Sequence, residues 1–361
     1  MTTMAIDNKD KKVLNVPPLR FPEFTEEWKA EQLDNIATLS KGIGISKEQL
    51  SEDGEPCILY GELYTKYKSE IIKQVESKTD INGSKLKRSK ANDVIIPCSG
   101  ETAVDIATAR CVPFDNILFG GDLNVISLHQ YDGAFMSYQL NGKRKYDIAR
   151  VAQGVSIVHL YGEHLKAIKT YNPTLPEQQK IAKLLSLLDD RIDTQNKIIE
   201  DLKKLKSAIS ERLFKGIEGS FVLLSDICDI VKGKQINGEN LSESGNYYVM
   251  NGGTEPSGYY GDYNVDANAI SISEGGNSCG YVQFNTSPFW SGGHCYSIQN
   301  IADNVNNLYL YHYLKSNEDV IMKLRIGSGL PNIQKKDLAM FKIKVPAIEQ
   351  QITISTFLSS L

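Results

Sequence analysis

Residues 174–216 read TLPEQQKIAKLLSLLDDRIDTQNKIIEDLKKLKSAISERLFKG and contain a long apolar repeat. Apolar side chains recur in steps of four and three residues, which is the period of a coiled-coil helix. Gln195 and Lys206 interrupt the repeat, and polar residues at such positions fix the alignment of paired helices at some cost in stability. The apolar positions predicted to form the coiled-coil interface are Ile181, Leu185, Leu188, Ile192, Ile199, Leu202, Ile209 and Leu213.

Both ends of this segment carry the signals of helix termini. Thr174 stands three residues before Glu177, so each side chain can satisfy the other's backbone N–H in a capping box, with Pro176 in the first turn. Gly216 and Gly219 indicate the end of the helix. The repeat would form a rod of about 50 Å at 1.5 Å per residue. A rod of that length is expected to separate other parts of the chain.

The start of this helix occurs twice in the sequence. Residues 173–179 read Pro-Thr-Leu-Pro-Glu-Gln-Gln, and residues 346–351 read Pro-Ala-Ile-Glu-Gln-Gln. An isoleucine follows in each copy, at Ile181 and Ile354, and a leucine-containing turn comes next. The second copy stops at Leu361, so we expect a distal helix that is shorter than the first.

The segments that precede the two helix starts are also similar to each other. Lys41-Gly42 corresponds to Lys232-Gly233, and each pair follows a short apolar pattern. Further matches in the same order join 58–61 to 249–252, 95–100 to 270–276, 119–121 to 290–293, 135–140 to 309–314, and 154–165 to 327–338. Each copy contains short apolar runs between glycine and Asn/Asp turns, with helical segments near its end. The sequence therefore predicts a duplicated α+β domain.

Length and composition are compatible with several domains in one chain. The 361 residues, 41% of them hydrophobic, suffice to bury a core in each of two or three domains. The sequence has no apolar run of membrane-spanning length and no apolar secretion signal at its charged start, so we expect a cytoplasmic location and no membrane contact. The six cysteines form no CxxC pair and are predicted to be reduced and buried.

The net charge of −4 argues against a nucleic-acid partner, but the positive residues are unevenly distributed. Three clusters, at 85–90, 143–150 and 323–344, contain several lysines and arginines and few acids. Such clusters are usually solvated faces. Three of them in two similar domains favour contacts with phosphate groups.

The sequence contains no recognisable pattern of catalytic residues. The glycine-rich segments 251–261 and 274–280 lack the Lys-Ser/Thr ending of a phosphate-binding loop and are interpreted as turns. His294, Cys295 and Cys279 lack paired-ligand spacing, so no metal site is predicted. A hydrolase that uses Ser156 with His159, or Cys295 with His294, remains a minor alternative.

These features together resemble the specificity subunit of type I restriction-modification systems. The resemblance is carried by Trp28, the Lys41-Gly42 loop, the glycine turns, and the proline, Glu-Gln-Gln and long-helix segment 173–189, which occurs twice. It covers nearly the whole chain from Phe21 onward. It implies two similar target recognition domains joined by a long coiled-coil helix.

The predicted domains follow from this organisation. They are a flexible N-terminal arm, 1–20; a first target recognition domain, 21–172; a central coiled-coil helix, 173–218; a second target recognition domain, 219–345; and the start of a truncated distal helix, 346–361.

The resemblance also implies partners and a division of labour. Each domain would read one half of a bipartite target in double-stranded DNA, and the helices would pair as a spacer and dock methyltransferase subunits. Those subunits would use S-adenosylmethionine, and a restriction subunit would use ATP and magnesium, so this non-catalytic chain would need no cofactor. We hypothesise that a second copy of the chain or a methyltransferase subunit completes the unpaired apolar seam.

The candidate DNA contacts are positively charged residues in the loops, which are expected to bind phosphate groups or to read guanine. They are Lys41, Lys85, Lys87, Arg88, Lys143, Arg144, Lys145, Lys232, Lys234, Lys323 and Arg325. The alternative for each residue is a solvated surface charge. The alternative for the whole chain is a coiled-coil scaffold with two interaction modules and no DNA partner.

Overall fold

The computed structural model describes residues 16–81, 83, 85–154, 157–327, 329 and 331–361. Within it the chain forms two compact units, Met1–Asn196 and Lys197–Leu361. The predicted arm at 1–15 lies outside the described residues, as do Ser156 and Leu330. The predicted α+β class and the duplication are confirmed, because each unit combines sheets with helices and the four-stranded antiparallel sheet of the first unit recurs in the second.

The first unit contains short strands with short helices between them. Its strands are β1 (Lys29–Gln32), β2 (Ala37–Lys41), β3 (Glu55–Ile58), β4 (Ser77–Thr79), β5 (Lys87–Arg88), β6 (Asp93–Pro97), β7 (Ser99–Gly100), β8 (Arg110–Val112), β9 (Leu118–Phe119), β10 (Leu123–Leu128), β11 (Val158–His159) and β12 (Lys169–Asn172). Its helices are α1 (Leu33–Ile36), α2 (Glu62–Thr65), α3 (Ala103–Ile106), α4 (Gly133–Asn141), α5 (Lys145–Val151), α6 (Gly162–Lys166) and the first part of α7 (Leu175–Gly216), with a 3-10 turn at Lys47–Gln49.

Two four-stranded sheets form the centre of the first unit. The antiparallel sheet has the order β2-β10-β6-β8, and the second sheet has the order β4-β3-β9-β5 with β3 and β9 parallel. Strand β6 is buried along its whole length because its alternate side chains enter two cores. Val94 and Ile96 belong to one cluster and Ile95 to another. This explains why the sequence shows a continuous apolar run here and no alternation.

The second unit repeats this arrangement. Its strands are β13 (Ser220–Leu223), β14 (Asp229–Lys232), β15 (Tyr247–Met250), β16 (Tyr259–Tyr260), β17 (Ala269–Ser273), β18 (Val282–Asn285), β19 (Trp290–Ser291), β20 (Cys295–Gln299) and β21 (Lys342–Val345). Its helices are the end of α7, α8 (Leu224–Ile227), α9 (Asn307–Ser316), α10 (Glu318–Met322), α11 (Lys335–Ala339) and α12 (Ile348–Ser360), with a 3-10 turn at Gly238–Asn240.

The main strand pairings recur in both units, although the second sheet has four strands in the first unit and three in the second. The sheet order β14-β20-β17-β18 corresponds to β2-β10-β6-β8, and the parallel pair β15–β19 corresponds to β3–β9. Glycines that the sequence repeat matches between the units make the same contact in each. A Cβ at Gly42 would collide with the Gly120 carbonyl oxygen, and a Cβ at Gly233 would collide with the Gly292 carbonyl oxygen. Only glycine permits this approach of the two loops in each unit.

A buried glutamine connects the first helix start to the first unit. Gln178 Nε2 donates to the Pro173 carbonyl oxygen at 2.8 Å, and Gln178 Oε1 accepts the Asp132 N–H at 2.9 Å. Asp132 is the N-cap of α4, where its side chain accepts from the Phe135 N–H. One side chain therefore joins the first turns of α7 and α4.

The second helix start repeats this bridge one residue away from the position that the sequence match suggests. Gln351 Nε2 donates to the Pro346 carbonyl oxygen at 2.8 Å, and its Oε1 accepts the N–H of Asn306, the N-cap of α9, at 2.8 Å. Matching the Glu-Gln-Gln letters aligns Gln178 with Gln350, but Gln350 is exposed. The equivalent of Gln178 is Gln351, because both lie five residues after the proline.

The predicted capping box at Thr174 and Glu177 is wrong. Glu177 is fully buried, and both of its carboxylate oxygens accept from Arg20, at 2.7 Å each. Trp28 Nε1 also donates to this carboxylate, at 3.3 Å. A charge-assisted bidentate pair outcompetes a local cap. Arg20, at the end of the predicted arm, is thus held against the first helix.

Helix α7 is 42 residues long, about 60 Å at 1.5 Å per residue, and it matches the predicted range 173–218 within two residues at each end. The predicted seam is covered only near its ends, where Ile181, Leu185, Ile209 and Leu213 are half-buried. In the centre of the helix, Leu188, Ile192, Ile199 and Leu202 remain about half exposed. No described residue covers this central stripe, so the coiled-coil pairing stays a prediction.

Helix α12 packs on its own unit. Ile354 and Leu358 are buried in the core of the second unit together with residues of α9 and the end of α7. Phe214, near the end of α7, lies edge-on to Tyr309 and Tyr313, with ring centroids 5.9 and 5.2 Å apart. Aromatic and aliphatic burial thus fixes both helices in this unit.

Gln178→Ala should destabilise the first unit by about 2–3 kcal/mol, because the Pro173 carbonyl and the Asp132 N–H would lose their buried partner. Hydrogen–deuterium exchange of peptides from α4 and β12 measures the change. Gln179→Ala, one residue further along and exposed, is the matched control and should change exchange little. Equal protection in both variants would show that the bridge contributes nothing.

Candidate nucleic-acid interface

Lys41 ends β2 on the surface of the first unit. Its ammonium lies 5.6 Å from the centre of the Tyr161 ring, and the side chain is exposed. Tyr161 in turn stacks on His159, with ring centroids 6.2 Å apart. A cation beside exposed aromatic rings is a common arrangement in nucleic-acid interfaces.

The cluster at 85–90 is divided by the structure. Lys85 is exposed in a turn, and Lys87 and Arg88 form β5. Arg88 pairs with Glu55 through two bonds, of 2.5 and 2.8 Å, and this guanidinium lowers the pKa of the Glu55 carboxyl. Because it is already paired, Arg88 would have to exchange Glu55 for DNA, which makes it a weaker candidate.

Lys87 instead lies on a polar groove with Lys90, a residue absent from the predicted contacts. The groove is also lined by Ser40 and His129, and His129 Nε2 lies 2.8 Å from Thr38 Oγ1. The Ser40 hydroxyl is buried and has no hydrogen-bond partner among the described residues. Two lysines beside an unpaired hydroxyl favour this groove as a phosphate-contacting surface.

The cluster at 143–145 follows α4 on another part of the first unit. Arg144 is largely buried; it pairs with Asp147 at 2.8 Å and lies over the Tyr171 ring, 5.3 Å from its centre. Lys143 is exposed at the edge of a cavity that Trp28 also lines, and Lys145 begins α5. Arg144 therefore has a structural role, whereas Lys143 and Lys145 remain candidates.

In the second unit, Lys232 and Lys234 flank the close glycine contact. Lys232 Nζ lies 2.7 Å from a carboxylate oxygen of Glu274. Lys234 is exposed, and its carbonyl oxygen accepts from Trp290 Nε1 at 2.8 Å. Glu274 and His294, whose ring lies 4.0 Å from the Glu274 carboxylate, belong to the same surface. The sequence reasoning missed Glu274 because nothing local connects it to Lys232.

Lys323 and Arg325 follow α10 and are exposed. The Arg325 guanidinium forms no ion pair with any residue that the structure describes, and its charge acts on the buried Cys279 thiol. Burial is the main reason that the pKa of this thiol is raised. Arg325 is therefore the arginine among the predicted contacts that is available to a phosphate or a base.

The structure weighs against the Cys295 and His294 pair, one of the two hydrolase pairs that the sequence left open. Burial raises the pKa of the Cys295 thiol to about 11, so this cysteine is not a thiolate at neutral pH. Ser156 lies outside the described residues, and His159 Nδ1 faces Ser99 Oγ at 3.4 Å. A buried, neutral thiol is a poor nucleophile, so the Cys295 and His294 pair lacks the activated nucleophile of a hydrolase.

The described residues also bear on metal binding and on membrane insertion. No group of three or more His, Cys, Asp or Glu side chains there is placed to hold a metal ion. In the same part of the chain, no helix combines the length and apolar character needed to cross a membrane.

Comparison with protein families gives a match over most of the chain. The family described as type I restriction modification DNA specificity domain matches twice, at residues 25–204 and 218–361. The chain belongs to this family. Each match contains one globular unit and the helix start that follows it, so the predicted resemblance and duplication are confirmed. The specificity domain is therefore present in two copies.

Curated relatives of this specificity-domain chain carry the same description. A putative type I specificity subunit of Mycoplasma pneumoniae is 33% identical over 138 residues, which cover 38% of this chain and 36% of the relative. Another putative type I specificity subunit, of Mycoplasma genitalium, is 23% identical over 242 residues, 63% of this chain and 62% of the relative. The chain thus spans less than two thirds of these relatives.

Solved structures show the same fold over nearly the whole chain. The S subunit of a type I restriction-modification system from M. genitalium superposes with a TM-score of 0.65 at 20% identity, covering 97% of this chain and 92% of that one. A chain from a study of complex assembly and conformational transition in a type I system has a TM-score of 0.57 at 16% identity, with 95% and 91% covered. At these identities the comparison concerns the fold alone.

Arg325→Ala should weaken DNA binding, because one expected phosphate contact is lost. The slope of the logarithm of the binding constant against the logarithm of the salt concentration should fall in magnitude by about one. Arg88→Ala is the matched control and should have a smaller effect, since Arg88 is paired with Glu55. Fluorescence anisotropy with labelled duplex at several salt concentrations measures both. Unchanged affinity of Arg325→Ala at moderate salt would remove Arg325 from the interface.

Proposed function

We propose that this chain is the DNA-recognition subunit of a type I restriction-modification complex. Each unit reads one half of a bipartite target in double-stranded DNA, and the chain works in the cytoplasm, where that DNA lies. The proposal is supported by the family match over both units and by the description shared by the curated relatives.

The strongest support for this function is a shared framework with different loops in the two units. The two units share the strand order of one antiparallel sheet and the same glutamine bridge to the following helix. Their loops differ, with Ile43-Gly44 after Gly42 and Lys234-Gln235 after Gly233. A common frame with different loops is the expected design for two readers of different short sequences. A structural scaffold has no evident need for such divergence on one surface.

The long helix supplies the spacing between the two half-sites. A helix of about 60 Å corresponds to between one and two turns of B-form DNA. Its length then determines the number of unread base pairs between the two elements. Spacer length becomes part of the specificity in this way.

Catalysis and cofactors belong to partner subunits in this proposal. Methyltransferase subunits bind S-adenosylmethionine and methylate adenine, and a restriction subunit uses ATP and magnesium. The chain itself positions these subunits on the target. Its contribution is binding energy and geometry.

The exposed stripe in the centre of α7 is the proposed docking surface for these partners. Leu188, Ile192, Ile199 and Leu202 present apolar surface on one side of the helix, and a partner helix would bury it. The partner is a methyltransferase subunit or a second copy of this chain. Sedimentation of the purified chain distinguishes the two, since the second requires a dimer.

The alternative of a scaffold without DNA is favoured by the net charge of −4 and by the pairing of Arg88 and Arg144 with acids. The two functions differ in their response to salt. Recognition requires duplex binding that weakens steeply with salt.

Co-expression of the chain with its methyltransferase subunit should methylate host adenines at a motif of two different short elements and a fixed gap. Mapping of methylated adenines across the host DNA measures this. The same mapping with the methyltransferase subunit alone is the control. A symmetric motif would show that one unit reads in a dimer, and the absence of any motif, with no salt-sensitive duplex binding, would favour the scaffold.

Ile199→Asp combined with Leu202→Asp should prevent assembly with the methyltransferase subunit, because each change places a charge where apolar contact is expected. Co-purification of a tagged chain measures assembly. Glu200→Ala combined with Lys203→Ala alters exposed positions on the same turns and serves as the control. Undiminished co-purification of the aspartate variant would place the docking surface elsewhere.

A further inference from the structure

Three equivalent positions lie on the same backbone frame in the two units, and two of them carry different side chains. In the first unit, the Leu160 N–H donates to the Cys98 carbonyl and the Cys98 N–H to the Asp122 carbonyl, at 2.9 and 2.7 Å. In the second unit, the Ile333 N–H donates to the Glu274 carbonyl and the Glu274 N–H to the His294 carbonyl, at 2.8 and 2.9 Å. Cys98 therefore corresponds to Glu274, and Asp122 to His294.

The third position is the lysine before the close glycine contact, Lys41 in the first unit and Lys232 in the second. Both lysines end the first strand of the four-stranded sheet and are exposed. The frame beneath them is rigid, because the adjacent Gly42 and Gly233 hold two loops in contact that no side chain could enter. The set is thus Lys-Cys-Asp in one unit and Lys-Glu-His in the other.

The lysine ammonium is ordered differently in the two units. Lys232 Nζ donates to Glu274 Oε1 at 2.7 Å, while the Glu274 side chain is 9% exposed and that of Lys232 is 54% exposed. The Tyr296 hydroxyl donates to the same oxygen at 3.1 Å. Glu274 Oε2 is buried and has no hydrogen-bond partner among the described residues. Lys41 has no carboxylate within ion-pair distance in that part of the chain and lies beside Tyr161.

We propose that Lys232, positioned by Glu274, reads a guanine in the half-site of the second unit, and that the first unit lacks this contact. The inference rests on the proposed function. A lysine ammonium only donates hydrogen bonds, and guanine offers two acceptors, O6 and N7, in the major groove.

A fixed carboxylate makes the ammonium selective because it restricts the directions in which the donor can point. The entropy of ordering a lysine side chain is largely lost before DNA binds, so little is lost on contact. Lys41, without such a carboxylate, adapts to a phosphate oxygen and contributes affinity with little base discrimination. Glu274 acts through Lys232 and is a positioning residue.

The test uses the full chain in complex with its methyltransferase subunit, after mapping of the wild-type target. Duplexes in which each G·C pair of the second half-site is replaced by A·T are compared with the target in equilibrium binding. In Lys232→Ala, discrimination at one guanine should fall from about 5- to 100-fold to less than about 2-fold, with the other positions unchanged. Lys232→Arg should retain the preference for guanine.

Lys41→Ala is the matched control and should weaken binding to all duplexes equally. Glu274→Gln should relax the same guanine position as Lys232→Ala and leave the first half-site unaffected, which a merely structural carboxylate would not do. Hydrogen–deuterium exchange of β14 and β20 monitors folding. If Lys232→Ala destabilises the unit by leaving Glu274 unpaired, the double variant Lys232→Ala/Glu274→Gln removes that charge and repeats the test.

Two results would overturn the inference. Equal weakening of all duplexes by Lys232→Ala would make Lys232 a phosphate contact, and unchanged discrimination would make its pair with Glu274 purely structural. Failure of the proposed function is distinguishable, because the wild-type complex would then show no bipartite target at all.

Discussion

Each globular unit holds the start of the next helix through the side-chain amide of a buried glutamine, Gln178 or Gln351. The amide donates to a proline carbonyl and accepts the N–H of a second helix's N-cap, so it satisfies two buried backbone groups at once. A serine side chain is too short to form this bridge, and a leucine side chain has neither a hydrogen-bond donor nor an acceptor. The bridge therefore fixes the start of each helix against its own unit.

A shared backbone with variable side chains also characterises the exposed loops of the two units. Close glycine contacts and buried strands determine the backbone in both units, while the exposed positions above them are free to differ. Lys41 and Lys232 show the consequence, because one lysine lies beside a tyrosine and the other is held by a buried carboxylate. Equivalent backbones can thus hold the same side chain in different polar surroundings.

The central part of α7 is stabilised differently from its ends. Near its C-terminal end, Ile209 and Leu213 pack against the core of the second unit, and near its N-terminal end Ala182 is buried. In between, Ile192, Ile199 and Leu202 remain about half exposed. Burial of apolar surface contributes about 25 cal/mol per Å², so covering several such side chains would stabilise a complex by several kcal/mol. A helix that is stable at its ends and exposed at its centre is suited to assembly with partners.

The sequence by itself determined the features that depend on local order. Apolar periodicity and helix-end signals predicted α7 to within two residues at each end. Repeated glycine and Glu-Gln-Gln segments predicted two similar α+β units, because both signals depend only on the order of residues in the sequence. Only the tertiary structure decided which charges meet. Arg20 reaches Glu177 across 157 residues and replaces the expected local cap, and Lys232 meets Glu274 across 42. Such pairs form where folding brings distant strands and helices together, and the local pattern around either partner contains no trace of the other.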